Sequence, residues 1–147
     1  MDGRSYLSGY ADGEGCFCVT LNKSNRHKFG WDVRPSFSVS QNSDRSEVLL
    51  VFQREFGCGT IRPDRSDRTL KYEVRSVKDL VAKVIPHFEK YPLLSSKRKD
   101  FTKFADIVRR MHERRHLTKE GFAEIVQIAE TINVTSKKKY SRRQINV

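Results

Sequence analysis

Residues 6–15 read YLSGYADGEG. Two carboxylates, Asp12 and Glu14, are separated by one residue, and glycines stand at 9, 13 and 15. The leading part reads as a helix, yet Gly9 and Gly13 lie inside it. Glycines four apart fall on one helix face, clear a stripe of side chains and let another backbone come close. Gly13 and Gly15 also suit the positive φ of a helix end. A helix stop followed by a turn into a strand accounts for Gly13 and Gly15, but not for Gly9 or Glu14. An acid at a helix C-terminus opposes the dipole; a metal ion near Glu14 would remove that conflict. A calcium loop is excluded, because Cys16 stands where an oxygen ligand is needed and Phe17 where glycine is needed. The dinucleotide pattern lacks its last glycine, and no phosphate-binding Lys-Ser/Thr follows.

Outward from this stretch, the first helix is expected over about Arg4 to Asp12. CFCVTLN (16–22) and WDVRPSFSVS (31–40) alternate as strands, with KSNRHKFG (23–30) as a basic loop. Phe17, Val19 and Leu21 face one way; Cys18, Thr20 and Asn22 face the other. Trp31, Val33, Phe37 and Val39 point inward. Pro35 removes a ladder donor and suits an edge or a bulge. A second helix is expected from near Asp44, with Glu47 as its capping acid, to Gly57. CGTIR (58–62) and RTLKYEVRS (68–76) flank the turn PDRSD as a hairpin. A third helix starts at Ser76, capped toward Asp79, with Val77, Leu80, Val81, Val84, Ile85 and Phe88 on its apolar face. Pro92 breaks the chain, and further helices run over about 96–115 and from Thr118. The expected class is α+β: two hairpins separated by helices give one four-stranded antiparallel sheet with helices on one face. A single domain over 1–147 is expected, ending in a basic tail at about 136–147 that contains KKKYSRR (137–143).

Composition restricts the partner. Hydrophobic residues make up 37% of the 147, enough for a core. Lys and Arg number 29 against 18 acids, a net charge of +11, which calls for a polyanion. Nucleic acid fits best. No basic amphipathic helix with a broad apolar face favours a membrane. MDGRSYLSGY has no apolar run, and no stretch of about 18 apolar residues occurs. No signal peptide, membrane span or membrane partner is therefore expected, and the location is intracellular, in an organelle or a prokaryotic cytoplasm. Cys16, Cys18 and Cys58 lack zinc spacing and read as reduced thiols. Cys16 and Cys18 are expected on opposite strand faces, unable to bridge.

The face of the sheet away from the helices carries the hydrogen-bonding side chains that read base edges. With the hairpin loops, the expected DNA-contacting set is Thr20, Asn22, Ser24, Arg26, Asp32, Arg34, Ser36, Ser38, Ser40, Arg62, Asp64, Arg68, Thr69, Lys71, Glu73 and Arg75. Two-stranded ribbons of this kind enter a major groove.

LSGYADGEG (7–15) resembles the nonapeptide of the LAGLIDADG homing endonucleases through Leu7, Gly9, Asp12, Gly13, Glu14 and Gly15. FSVSQNSDRSEVLLVFQREFGCGTI (37–61) resembles the family's second strand, second helix and third strand, YPLLSSKRKDFTKF (91–104) its lysine-bearing segment, and HLTKEGFAEIVQIAETIN (116–133) the closing helices of its rRNA-intron branch. The resemblance implies an αββαββα fold with extra C-terminal helices. It implies an intron-encoded nuclease that makes a staggered double-strand break in a long, pseudo-palindromic DNA target. It assigns Glu14 and the Gly13 carbonyl to a Mg²⁺ site, where Mn²⁺ or Ca²⁺ can substitute. It assigns Gln41, Arg45 and Lys97 to the catalytic site beside Glu14, with Lys99 as the alternative lysine; Asp12 becomes structural. One copy of the motif implies a homodimer that packs Leu7, Gly9, Tyr10 and Gly13 against their counterparts. Alternatives within the family are an intron-RNA maturase and a DNA-binding protein without cleavage.

Overall fold

Alternation of apolar and polar residues places the strands, and a 3.6-residue apolar period places the helices. The computed structural model describes residues 2–26, 30–64, 68–132 and 145. Helix α1 covers Gly3–Glu14, with Asp2 as its N-cap, and runs directly into β1, Gly15–Lys23. β2 is Trp31–Asn42, α2 is Glu47–Phe56, β3 is Thr60–Pro63 and β4 is Thr69–Val74. A continuous helical run, α3, spans residues 77–90; α4 is Lys97–His112 and α5 is Lys119–Ala129. The strands form one antiparallel sheet in the order β1-β2-β4-β3. The expected fold class holds.

Four local expectations change. The first helix reaches Glu14 rather than stopping near Asp12. Asp44 does not start the second helix; it lies in a 3₁₀ turn, Ser43–Arg45, and α2 begins at Glu47 with no side-chain cap. Pro35 lies on an interior strand, not an edge. It pairs with Val19 of β1, but the β4 ladder starts only at Phe37, so the missing N–H falls where β2 has one neighbour. In α3, Leu80–Val84 is a π-turn directly before Pro86. Proline cannot supply the N–H of an α-turn, so the helix widens there. Ser76 does cap α3, accepting from Asp79 N at 3.2 Å.

The core lies between the sheet and the helices. Phe17 packs edge-on against Phe88 and Phe101, and Phe37 contacts Phe52, Phe56 and Phe88. Such ring pairs add roughly 0.5–1.5 kcal/mol each beyond the area they bury. Leu7 and Ala11 of α1 are buried in this cluster. The core therefore fixes the end of α1 relative to the start of β1. Ile145 is also buried in it; the basic run 137–143 lies outside the described residues.

Candidate active site

Helix α1 has two unlike faces. Inward, Leu7, Ser8 and Ala11 are buried. Ser8 Oγ donates to the Tyr91 carbonyl at 2.5 Å and lies 3.1 Å from His87 Nε2. The hydroxyl has one proton, so Nε2–H is the donor to Ser8. Burial pushes the His87 pKa down to about 4. Leu7 is only 1% exposed; as a core side chain it cannot serve the expected dimer interface.

Outward, Gly9 and Gly13 are exposed, and a Cβ added at either would meet nothing within 4 Å. Neither Gly13 nor Gly15 has the expected positive φ. Gly15 is extended at φ −82°, and its reason is space: a Cβ would stand 2.7 Å from the Ala11 carbonyl oxygen. Nothing inside the described protomer requires glycine at 9 or 13.

The C-terminus of α1 is braced from the α3–α4 connection. Asp12 accepts from Leu94 N at 2.9 Å, from Ser95 N at 3.0 Å and from the Ser95 hydroxyl. Partial burial raises the Asp12 pKa, but these hydrogen bonds and the nearby Lys97 charge outweigh it and hold the carboxyl below its usual range. Ser95 Oγ in turn accepts from Lys97 N at 3.2 Å. Lys97 Nζ then donates to the Ala11 carbonyl at 3.1 Å and to the Gly15 carbonyl at 2.6 Å. An ammonium has three donors; two are used here, and one remains. Its charge meets the negative end of the α1 dipole, which relieves part of the conflict posed by Glu14. Glu14 itself is exposed, and no hydrogen bond or ion pair holds its carboxylate among the described residues.

Of the other site residues read from the sequence, Gln41 sits at the end of β2 and donates from Nε2 to the Tyr10 hydroxyl. Its Oε1 accepts from Asn42 N at 2.8 Å. Tyr10, read as an interface residue, is thus half-buried against Gln41 and the Phe52 ring. Arg45 is exposed in the 3₁₀ turn, 4.0 Å from Asp44, with no bond joining it to Glu14, Gln41 or Lys97. Lys99 is exposed; Lys97 is the lysine that touches the motif. The sequence did not point to the Ser8–His87 or Tyr10–Gln41 contacts. The serine pair before Lys97 was the only trace of the Asp12 brace.

The register puts Cys16, Cys18, Thr20 and Asn22 opposite Ser38, Ser36, Arg34 and Asp32 on one polar face. Ser38 and Ser40 then lie beside Glu73 and Lys71, and Lys71 beside Arg62. The three acids of the face orient donors: Asp32 accepts from Arg34 Nε at 2.6 Å, Asp64 from Ser40 Oγ at 3.1 Å, and Glu73 from Arg62 at 2.8 Å. Ser38 and Glu73 are buried between neighbours, at 7% and 8% exposure, so they support the face rather than present themselves on it. Thr69 and Lys71 are half-buried, and Arg68, Arg75 and Arg26 are exposed, with Arg26 N donating to Ser24 Oγ at 3.3 Å. His27, Lys28 and Arg65 of the hairpin loops lie outside the described residues. Cys16 and Cys18 do not point apart as expected, because residues two apart on a strand share a face. The Cys18 thiol hydrogen-bonds the Cys16 sulfur, which together with Lys97 and Lys71 lowers the Cys16 pKa to about 7 against the opposing effect of burial.

The sequence profile of the LAGLIDADG endonuclease family matches residues 7–108. This chain belongs to the LAGLIDADG endonuclease family. It is 36% identical over 130 residues to "Probable intron-encoded endonuclease 2" of Neurospora crassa, covering 88% of this chain and 29% of that protein. Two further curated relatives are spanned over 25% and 24% of their length, so the chain matches only a part of each. Among solved structures, the homing endonuclease I-TnaI superposes with a TM-score of 0.86 at 35% identity, covering 98% of this chain and 95% of that one. I-SmaMI, bound to an uncleaved DNA target in the presence of calcium ions, superposes at 0.86 and 28% identity, covering 95% of this LAGLIDADG chain and 47% of I-SmaMI. Among the described residues no helix is long and apolar enough to cross a membrane.

Proposed function

We propose that this chain is one symmetric half of a site-specific, intron-encoded DNA endonuclease, and that two copies pair through the bare stripe of α1. The observation that carries the reading is the end of α1: a Glu14 carboxylate unengaged among the described residues, next in the chain to the Gly15 carbonyl that holds Lys97, on a helix where a Cβ at Gly9 or Gly13 would meet none of them within 4 Å. Pairing across that stripe brings two Glu14 carboxylates together. No cluster of three or more His, Cys, Asp or Glu side chains that could hold a metal exists among the described residues of one protomer. The paired acids, with the Gly13 carbonyls at the helix ends, form a set of hard oxygen donors. That set suits Mg²⁺, which keeps several waters and asks for few protein carboxylates; Mn²⁺ or Ca²⁺ would use the same donors.

When bound, the divalent ion supplies charge neutralisation and water activation for phosphodiester hydrolysis. The chain's own part is positional. Glu14 would hold the ion at the helix end. The spare Nζ–H of Lys97 stabilises negative charge developing on the phosphate. Gln41 and Arg45 order water and phosphate at the rim. The polar sheet face lies in a major groove, where Arg34 and Arg62, preset by Asp32 and Glu73, read base edges. Two such faces on a two-fold axis match a pseudo-palindromic target.

A covalently linked second unit is the other source of symmetry. The chain's match to under half of I-SmaMI and to about a quarter of its curated relatives favours it. Glu14→Gln tests the site. Cleavage should fall at least about a hundredfold, the scale of losing one charge-stabilising group, with DNA binding retained. Undiminished Mg²⁺-dependent cleavage by this variant would overturn the assignment. Binding without cleavage by the wild type would instead favour a non-cleaving or intron-RNA role.

A further inference from the structure

We propose that Tyr10 is a positioning residue for cleavage: its hydroxyl fixes the direction of the Gln41 amide. The effect on cleavage rests on the endonuclease reading above; the contact itself does not.

Two hydrogen bonds determine which way the amide points. Gln41 is the second-last residue of β2. Its Oε1 accepts from Asn42 N at 2.8 Å. A backbone N–H only donates, so the carbonyl end of the amide must face it. The Nε2 end therefore faces the Tyr10 hydroxyl. An amide nitrogen also only donates, so the hydroxyl accepts. With both contacts made, one Nε2–H and one Oε1 lone pair remain for a water or a phosphate oxygen.

The hydroxyl is a fixed reference point. The Tyr10 ring is half-buried and meets the buried Phe52 ring edge-on, with centroids 6.2 Å apart; the Tyr6 ring lies at 6.3 Å. Tyr10 also belongs to α1, one turn before Glu14, and residues at i and i+4 share a helix face. The hydroxyl thus ties the end of β2 to the helix that carries Glu14. A glutamine loses much rotamer freedom when it is ordered. A contact that orders it beforehand removes that cost from the reaction. Packing accounts for the Tyr10 ring, but not for the direction of its hydroxyl bond.

The test is Tyr10→Phe in the intact chain, which keeps the ring and deletes the acceptor. The substrate is a duplex selected from a randomised library for cleavage by wild type. Single-turnover cleavage of the pre-bound duplex with Mg²⁺ should slow about tenfold, the scale of one neutral hydrogen bond. DNA affinity and sedimentation should not change. Gln41→Ala should slow cleavage too, and adding Tyr10→Phe to it should slow it no further, because the two side chains act as one unit. The Gln41 side-chain amide, followed by heteronuclear NMR and assigned by its disappearance in Gln41→Ala, should shift in Tyr10→Phe toward the position of a free glutamine. An amide signal that stays in place, a Tyr10→Phe protein with the full rate, or equal slowing with and without Gln41 overturns the proposal. So does a loss of rate together with self-association, which would make Tyr10 an interface residue. If wild type cuts no duplex in the library, the endonuclease reading fails and the rate effect falls with it, while the amide signal still decides whether Tyr10 holds Gln41.

Discussion

The two faces of α1 are built on opposite rules. The inner face is filled: Leu7 and Ala11 are buried, and Ser8 is held between His87 and Tyr91. The outer face is open at Gly9 and Gly13: among the described residues, nothing outside the local helix lies within 4 Å of where a Cβ would stand. A helix in a free-standing domain gains nothing from two exposed glycines, each of which costs about 0.5–1 kcal/mol relative to alanine. The inner face serves the fold of one protomer, and the outer face is the one proposed above to pair with a second unit.

Substitutions on the two faces should therefore separate stability from activity. Leu7→Ala should have the largest effect on stability, lowering it by about 2–5 kcal/mol as buried leucine truncations do, measured by urea unfolding. Cleavage per folded molecule should hardly change. A loss under 1 kcal/mol would mean that Leu7 is not the core anchor its burial implies.

Asp12→Ala comes next, because it frees Leu94, Ser95 and the approach to Lys97. The expected cost is about 2 kcal/mol, the scale of hydrogen bonds to a charged group. Here cleavage should fall too, since the brace sets Lys97. Cleavage kinetics on folded Asp12→Ala check this, and an unchanged rate would separate Asp12 from the site.

The buried imidazole gives a pH test of the inner face. His87 is neutral in the fold, with its pKa lowered to about 4 from 6.5. The unfolded chain binds the extra proton first. The stabilisation is therefore complete above pH 6.5 and is lost as pH falls through the window toward 4. Thermal melts between those values should show a falling midpoint, and His87→Gln should flatten that slope. An identical slope in the variant would place the acid sensitivity elsewhere.

Much of this contrast was legible in the sequence. Gly9 and Gly13 were marked by their spacing, and strand alternation gave the polar face and the sheet. What escaped depended on pairing across distant segments. Leu7 belongs to the motif, yet only the docking of α1 on the sheet shows that it faces inward. The Asp12–Ser95–Lys97 brace joins residues more than 80 positions apart, and no local pattern encodes it. Pro86 leaves no mark on the apolar period of α3, which continues through it; a π-turn keeps the inward face while omitting the hydrogen bond. The positive φ expected at Gly13 and Gly15 failed for another reason. The chain passes from helix to strand without reversing, so the glycine at 15 serves close approach, not handedness.

The smallest expected change in protomer stability accompanies the most direct test of the pairing claim. Gly9→Ala should raise protomer stability by about 0.5–1 kcal/mol while weakening self-association, and Gly9→Leu should abolish association in a protein that still folds. Sedimentation equilibrium of wild type and both variants, with cleavage measured on the same samples, decides the matter. The account predicts a wild-type dimer that cuts both strands, and a folded Gly9→Leu monomer that cuts neither. A wild-type monomer that still breaks both strands, or a Gly9→Leu dimer with full activity, would contradict it.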